Sequence, residues 1–134
     1  MLASRNSWGL RKLLIVDPDV RLLSSYRDLL RPYGFEVLTA IDGGEATTMV
    51  ECHPDIMLVI VDVVIDQQTG TRWIRWFNTV RAESPVIVIS RQQVREDDEV
   101  RPTAILKKPF HVAELLDLVG LFCGLGTPTA ARGI

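Results

Sequence analysis

Short, continuously apolar runs alternate with amphipathic segments along most of this chain of 134 residues. The two clearest runs, residues 12–16 and 56–62, are rich in β-branched side chains, which is typical of parallel strands that are buried on both faces. Three further strands are predicted over residues 35–39, 86–90 and 103–107. The pattern therefore predicts five strands at the centre of one sheet.

The segments between the strands carry apolar residues at helical spacing. After the first strand, one helical face holds Leu22, Leu23, Tyr26, Leu29 and Leu30. Pro32 and Gly34 end this helix. Further helices are predicted over residues 44–52, 71–82 and 112–122. The interval 91–102 differs, because its only apolar side chains are Val94 and Val100, and we expect its helix to be short, loose or absent.

The alternation of strand and helix with short connections predicts a parallel sheet with right-handed crossovers and helices on both faces. The expected fold class is α/β, a three-layer, doubly wound, five-stranded parallel sheet with a short or degenerate fourth helix. At 15.0 kDa the chain has room for one domain. We expect this domain over residues 12–124, with a flexible leader at 1–11 and a flexible tail at 125–134.

Composition narrows the functional classes. The formal charge of −2 and a pI near 5.6 leave no basic surface for direct nucleic-acid binding, and the length predicts no DNA-binding module in this chain. No apolar run approaches the roughly 20 residues of a membrane span, and no signal peptide is recognisable, so a cytoplasmic protein is expected. Cys52 and Cys123 lack metal-ligand spacing and are predicted to be small core residues in a reducing compartment.

Four polar residues fall at or just past strand ends, namely Asp17, Asp62, Ser90 and Lys108. Because the carboxyl ends of parallel strands meet at one edge, these side chains should lie together. Two carboxylates near each other imply a cation, a proton or a lysine between them, and Lys108 is the candidate lysine. Purely structural roles stay open for all four residues. Asp17 could cap the following helix, although Asp19 is the better cap, and Asp62 could cap a turn. Lys108 could be a surface lysine, and Ser90 could simply end its strand.

Helical spacing also suggests which aromatic side chains are buried. Trp73, Phe77 and Val80 share one stripe and are expected in the core, whereas Trp76 lies at its edge, as a core residue or a partner contact. Both histidines, His53 and His111, lack neighbours at ligand spacing and are expected at the surface.

Together, the four strand-end residues and the strand-helix order resemble the CheY-like receiver domain of two-component response regulators, from residue 13 to about 123. Asp62 matches the family's phospho-accepting aspartate, and Asp17 matches the first member of its acidic pair. Ser90 matches the Ser or Thr that ends the fourth strand. The Lys-Pro-aromatic signature is matched by Lys108, Pro109 and Phe110.

This resemblance implies a signal receiver in a phosphorelay, with a flavodoxin-like fold and no enzymatic turnover beyond self-phosphorylation and autodephosphorylation. A histidine kinase or phosphotransfer protein would phosphorylate Asp62, and the resulting switch would act on a downstream protein, with homodimerisation left open. The implied Mg²⁺ ligands are Asp17, Asp62 and the Val64 carbonyl. Lys108 would pair with the phosphoryl group, and the Ser90 hydroxyl would bond to it after phosphorylation.

The chain departs from the family's pattern at several positions. Pro18 stands where a second acidic residue is expected, which predicts weakened Mg²⁺ binding. Asp66 replaces the usual proline of the next loop, and either loosens that loop or helps to hold a cation. Ile105 stands where an aromatic switch residue is common. Pro18, Asp66 and the reduced fourth helix motivate a second hypothesis, a pseudo-receiver that binds partners without phosphorylation.

A third hypothesis comes from the enzyme class. Asp17, Pro18 and Asp19 resemble the Asp-x-Asp nucleophile motif of haloacid-dehalogenase-type phosphatases, in which Asp17 would attack phosphorus. Against it, Arg21 stands where that motif has Thr or Val, and Asp62 would have no role.

Overall fold

A computed structural model describes residues 11–65, 68–69, 71–94, 100–126 and 128. Its strands are β1 (Arg11–Val16), β2 (Phe35–Ala40), β3 (Ile56–Asp62), β4 (Val86–Ser90) and β5 (Ala104–Lys107). Its helices are α1 (Val20–Leu30), α2 (Gly43–Cys52), α3 (Thr71–Val80) and α4 (Val112–Cys123). The five strands form one parallel sheet in the order β2-β1-β3-β4-β5. The predicted α/β class, with its doubly wound sheet, is confirmed.

The helices cover the two faces of the sheet with separate apolar clusters. Side chains of α2 and α3 pack on one face with Leu14 and Val16 of β1, and side chains of α1 and α4 pack on the other with Leu13 and Ile15. All four of these β1 residues are at most 1% exposed. Because both faces are buried, the strand is apolar at successive positions rather than at alternate ones.

The element ends agree with the sequence pattern to within about two residues. Helix α1 begins after Asp19, whose Oδ1 accepts hydrogen bonds from the backbone N–H groups of Arg21 and Leu22, at 2.9 Å and 3.4 Å. This is the N-cap that the sequence predicts. A short 3₁₀ turn follows at Arg31–Tyr33 and ends at Gly34, whose φ of 91° is a left-handed conformation that suits glycine.

The connection between β4 and β5 carries no helix in its described residues, 91–94 and 100–103, as the sequence predicts. Its second part is held by α3 instead: the Asn78 side chain donates to the Arg101 carbonyl at 3.3 Å and accepts from the Arg101 N–H at 2.7 Å. The Thr103 hydroxyl also accepts from the Val86 N–H at 2.8 Å. Asn78 is buried, and its role was not predicted from the sequence.

The chain after β3 forms a small antiparallel pair of strands, Val64–Ile65 and Gln68–Thr69. Asp66 lies outside the described residues, as do most of the predicted leader and tail. No helix within the described ranges is both long and apolar enough to cross a bilayer.

The burial predictions for Cys52 and Val80 are wrong. Cys52 is exposed, because it is the last residue of α2, whereas Cys123 is half-buried and packs against the apolar cluster of α1 and α4. Val80 is 49% exposed, because α3 ends there and the apolar stripe has no further turn to pack beside it.

The predictions for Trp73, Phe77, Trp76 and His111 agree with the structure, whereas His53 is more buried than the predicted surface position. Trp73 and Phe77 are buried and stacked, with ring centroids 5.3 Å apart. Trp76 is half-buried and packs against the same cluster, so it lies at the core edge. His111 is exposed, and His53 is half-buried.

Candidate functional site

A cleft of about 420 Å³ opens at the carboxyl edge of the sheet, where the strands end. It brings together every site residue that the sequence predicts: Asp17, Asp62, Val64, Ser90 and Lys108. Pro18 and Asp19 line the same cleft. The parallel topology produces this arrangement, because β1, β3, β4 and β5 all end at the same edge.

Backbone hydrogen bonds beyond the strand ends hold the cleft in shape. The Asp17 N–H donates to the Ala40 carbonyl at 3.0 Å, and the Lys108 N–H donates to the Ser90 carbonyl at 2.8 Å. The Lys108–Pro109 peptide bond is cis. The functional side chains therefore project from the sheet itself rather than from long loops.

Asp62 and Lys108 form an ion pair in the cleft. The Lys108 ammonium lies 2.7 Å from Asp62 Oδ2, and the two side chains are only 17% and 12% exposed, respectively. The other carboxylate oxygen, Oδ1, accepts a hydrogen bond from the Val64 N–H at 2.8 Å. The Asp62 carboxylate is thus held by contacts to both of its oxygens, and it lines the cleft.

Asp17 has an unsatisfied carboxylate oxygen. The side chain is 2% exposed, and its Oδ1 accepts a hydrogen bond from the Asp19 N–H at 2.8 Å, whereas the buried Oδ2 has no partner among the described residues. Burial raises the pKa of the Asp17 carboxyl above its usual range; the Asp19 N–H opposes this rise, and the nearby negative charge of Asp62 adds to it. A buried oxygen of this kind calls for a proton, a water or a cation.

The donor set of the cleft fits a hard divalent cation with few protein ligands. Asp17 and Asp62 both line the cleft, and carboxylate oxygens are preferred ligands of Mg²⁺. Asp19 is occupied as the cap of α1, and Pro18 has no side-chain donor. No group of three or more His, Cys, Asp or Glu side chains that could hold a metal ion is found within the described ranges.

The Ser90 hydroxyl points into its own loop. It donates to the Gln92 carbonyl at 2.6 Å and accepts from the Gln92 N–H at 3.0 Å, and the residue is 2% exposed. To reach a group attached to Asp62, the hydroxyl must exchange its bond to Gln92 for a new one.

Sequence reasoning missed the polar cleft residues Arg91 and Gln92, and it also did not place Leu22 and Val63 in the cleft. Arg91 and Gln92 directly follow Ser90 at a strand end, and that position was the available signal. Both are exposed, and the backbone of Gln92 is what holds the Ser90 hydroxyl.

An apolar groove of about 550 Å³ adjoins the cleft. It lies between α1 and the start of α4, and its apolar lining includes Leu22, Tyr26, Leu29, Phe110, Val112 and Leu115. Leu22, Arg91 and Lys108 line both the groove and the cleft. Burial, reinforced by the charges of Asp17, Asp62 and Asp19, raises the pKa of Tyr26 to about 12.

Chemically, the cleft suits a transfer to a carboxylate. Asp62 is an oxygen nucleophile, and a carboxylate attacking a phosphoryl group brings two anions together, so that positive charge must be supplied. Lys108 supplies one charge, and the Asp17 and Asp62 pair can hold a cation that supplies more.

Comparison with known protein families matches residues 13–120 to the response regulator receiver domain. Among curated proteins, the transcriptional regulatory protein PrrA of Mycobacterium leprae is 34% identical over 110 residues, which are 78% of this chain and 46% of PrrA. The polar-differentiation response regulator DivK of Brucella ovis is 25% identical over 122 residues, which are 85% of this chain and 97% of DivK. The chain spans about half the length of transcriptional regulators such as PrrA, and nearly all of DivK.

Solved structures show the same fold. A CheY-like receiver domain protein from Methanospirillum hungatei superposes with a TM-score of 0.76 at 24% identity, covering 84% of this chain and 93% of that one. The chemotaxis response regulator CheY4 of Vibrio cholerae gives a TM-score of 0.74, also at 24% identity, with coverages of 85% and 99%. At these identities the likeness supports the fold alone.

Proposed function

We propose, from the premise that this chain belongs to the response regulator receiver domain family, that Asp62 accepts a phosphoryl group from a histidine kinase or phosphotransfer protein. Receiver domains of response regulators interact with such donors and with downstream targets, and they are generally non-enzymatic signalling modules. The observation that carries the proposal is the position of Asp62, which ends β3 in the cleft with the Lys108 ammonium 2.7 Å from its Oδ2.

The transfer forms a bond between phosphorus and a carboxylate oxygen of Asp62 while the bond between phosphorus and the donor breaks. With acetyl phosphate as donor, acetate leaves as a carboxylate, so that no proton is needed and nothing is oxidised or reduced. Lys108 then pairs with the phosphoryl oxygens, and its positive charge offsets the repulsion between the two anions.

Receiver domains generally bind Mg²⁺ at the phosphorylation site. In this chain we assign its protein ligands to the carboxylates of Asp17 and Asp62 and to the Val64 carbonyl. When bound, the ion neutralises charge on the phosphoryl oxygens. Because Pro18 supplies no carboxylate and Asp19 caps α1, we expect weaker binding than a site with three carboxylates would give.

Signalling follows from the exchange at Ser90. A phosphoryl oxygen on Asp62 competes with the Gln92 carbonyl for the Ser90 hydroxyl, and the exchange draws the loop after β4 toward the cleft. We place the output on the neighbouring face of β5, where Ile105 is 40% exposed, and the downstream protein or a second copy of the chain binds there. These partners imply a cytoplasmic location.

The groove beside the cleft is where we place the phosphodonor protein, because the two cavities share Leu22, Arg91 and Lys108. A substitution at Val112 tests this placement, because Val112 lines the groove and is 54% exposed. It is the first residue of α4, where an aspartate is compatible with the helix. Val112→Asp should slow transfer from a phosphorylated donor protein and leave transfer from acetyl phosphate unchanged. Leu121→Asp, at another exposed position of α4, is the matched control.

The central experiment is intact mass spectrometry after incubation with acetyl phosphate and Mg²⁺. The wild-type protein should gain a single phosphoryl adduct, and Asp62→Asn or an added chelator should prevent it. Asp55→Asn, at an exposed aspartate, should behave like the wild type. A folded wild-type protein that gains no adduct would contradict the proposal.

A second candidate function is a pseudo-receiver that binds its partner without phosphorylation. Pro18 and the existing Lys108–Asp62 ion pair favour it, since a cation already compensates the acceptor. In that case the mass stays unchanged, and Asp62→Asn binds the partner as the wild type does. The structure argues against the phosphatase hypothesis, because Asp17 is 2% exposed and Asp19 serves as the cap of α1.

A further inference from the structure

The charges that line the cleft are unevenly compensated. Its carboxylates are Asp17, Asp19 and Asp62, and its cations are Lys108 and Arg91. Lys108 is already engaged with Asp62 at 2.7 Å. Arg91 is exposed, and within the part of the chain that the structure describes no hydrogen bond or ion pair engages its guanidinium.

We propose that Arg91 is a second phosphoryl-binding residue, which holds the oxygens of the incoming group as it approaches Asp62. This inference rests on the proposed function of Asp62. It adds a specific cation to the Mg²⁺ and Lys108 already assigned, at a position next to Ser90 in sequence.

Lys108 is already paired with Asp62, so an incoming phosphoryl group is attracted less strongly than it would be by an unpaired lysine. A second cation at the cleft therefore contributes more to binding that group. A phosphoryl donor arrives as an anion at a cleft whose one buried lysine is already paired and whose Asp17 carries an unpartnered oxygen. A guanidinium offers several N–H donors in one plane and can bind two phosphoryl oxygens at once. Binding through Arg91 breaks no contact seen in the described structure.

The location of Arg91 fits the path of the donor. Arg91 lines both the cleft and the groove in which we place the donor protein. An exposed arginine at this junction meets the phosphoryl group before Asp62 does, and it attracts anions over about 8 Å at physiological salt.

The test is the rate of adduct formation by intact mass, with acetyl phosphate below saturation and Mg²⁺ held constant. Arg91→Ala should lower the second-order rate constant about tenfold, which corresponds to about 1.4 kcal/mol of lost charge-assisted hydrogen bonding. Arg91→Lys retains the positive charge but not the planar set of N–H donors, so its rate constant should lie between those of the wild type and Arg91→Ala. The dependence of the rate on salt should also weaken in Arg91→Ala.

Arg31→Ala is the matched control, because it removes one exposed arginine at the far end of α1 and should match the wild type. Thermal unfolding of each variant verifies the fold. Equal rates for Arg91→Ala and the wild type, with the adduct formed in both, would overturn the role of Arg91 and leave that of Asp62 intact. A wild type that forms no adduct would overturn both.

Discussion

At the amino edge of the sheet, where the strands begin, cations are matched to oxygens and nitrogens, whereas at the carboxyl edge a buried carboxylate oxygen has no partner. The Lys12 ammonium lies 3.1 Å from Asp55 and 3.2 Å from His53 Nδ1. Arg81 donates to the carbonyls of Val50 and His53, at 2.8 Å and 3.2 Å. At the carboxyl edge, by contrast, the buried Oδ2 of Asp17 has no hydrogen-bond partner among the described residues.

The difference separates two uses of charge within one sheet. Charges at the amino edge complete the hydrogen bonding of helix ends and turns, which stabilises the fold without any ligand. At the carboxyl edge the buried oxygen of Asp17 still calls for a proton, a water or a cation, and the fold tolerates this cost because the rest of the sheet is well packed. Removing a charge at the amino edge should therefore lower stability and leave phosphorylation unchanged. Removing the Asp17 charge at the carboxyl edge should raise stability and reduce phosphorylation.

The largest effect is expected above pH 10, beside the carboxyl edge. Folding raises the pKa of Tyr26 from 10.0 to about 12, so the folded state retains a proton that the unfolded state loses. Stability should therefore fall between pH 10 and 12, by about 2 to 3 kcal/mol. Tyr26→Phe should lack this fall in urea unfolding, whereas Tyr33→Phe should retain it. The same slope in wild type and Tyr26→Phe would contradict the prediction.

Removing Arg81 at the amino edge is the next largest change. Arg81→Ala should lower the free energy of unfolding by about 2 kcal/mol, because two backbone carbonyls lose their donor. The rate of adduct formation should stay that of the wild type. Arg72→Ala, at an exposed arginine of α3, the helix that ends just before Arg81, is the control and should change neither quantity. A slower rate of phosphorylation in Arg81→Ala would contradict the prediction that charges at the amino edge affect stability alone.

Asp17→Asn tests the opposite edge. Because folding raises the pKa of Asp17, its ionised form costs stability at neutral pH, and the neutral amide should add about 1 kcal/mol in the presence of a chelator. The gain should shrink toward zero as the pH falls and the carboxyl is protonated in both states. Asp28→Asn, at an exposed aspartate of α1, should add nothing. Magnesium-dependent adduct formation should fall in Asp17→Asn, and a less stable variant would contradict the prediction.

The smallest effect belongs to the Lys12–Asp55 pair. Its Asp55 side chain is 60% exposed, so that Asp55→Asn should lower stability by about 0.5 kcal/mol. The loss should disappear in 1 M salt, which screens exposed charges. A loss that persists at high salt would show that the contact acts through packing rather than charge.

The strands and helices could be predicted because each is marked by local pattern. The run from Ile56 to Val61 is apolar at every position, which is typical of a strand buried on both faces. Asp19 could be identified as a cap because capping involves only its near neighbours. Prediction failed where burial depends on what lies beside a helix end, as at Cys52 and Val80.

The candidate site was predictable as a set of positions but not as a set of bonds. Strand ends placed Asp17, Asp62, Ser90 and Lys108 at one edge, and the structure brings them into one cleft. The direction of the Ser90 hydroxyl depends on the turn that Gln92 makes, and the orphan oxygen of Asp17 depends on burial by several elements. Neither the direction of this hydroxyl nor the burial of this oxygen can be inferred from the residues that are adjacent in sequence.

The contact of Arg11 with the end of α4 has a consequence for engineering. The Arg11 guanidinium donates to the carbonyls of Cys123 and Gly124 and lies 4.4 Å above the Phe35 ring, so the start of β1 lies within the reach of one arginine side chain from the end of α4. In a chain shortened to residues 11–124, this closeness allows circular permutation and insertion into a host protein. A short linker between the two ends, with new ends opened in the turn at residues 81–84, would give a rearranged chain whose cleft lies opposite the join.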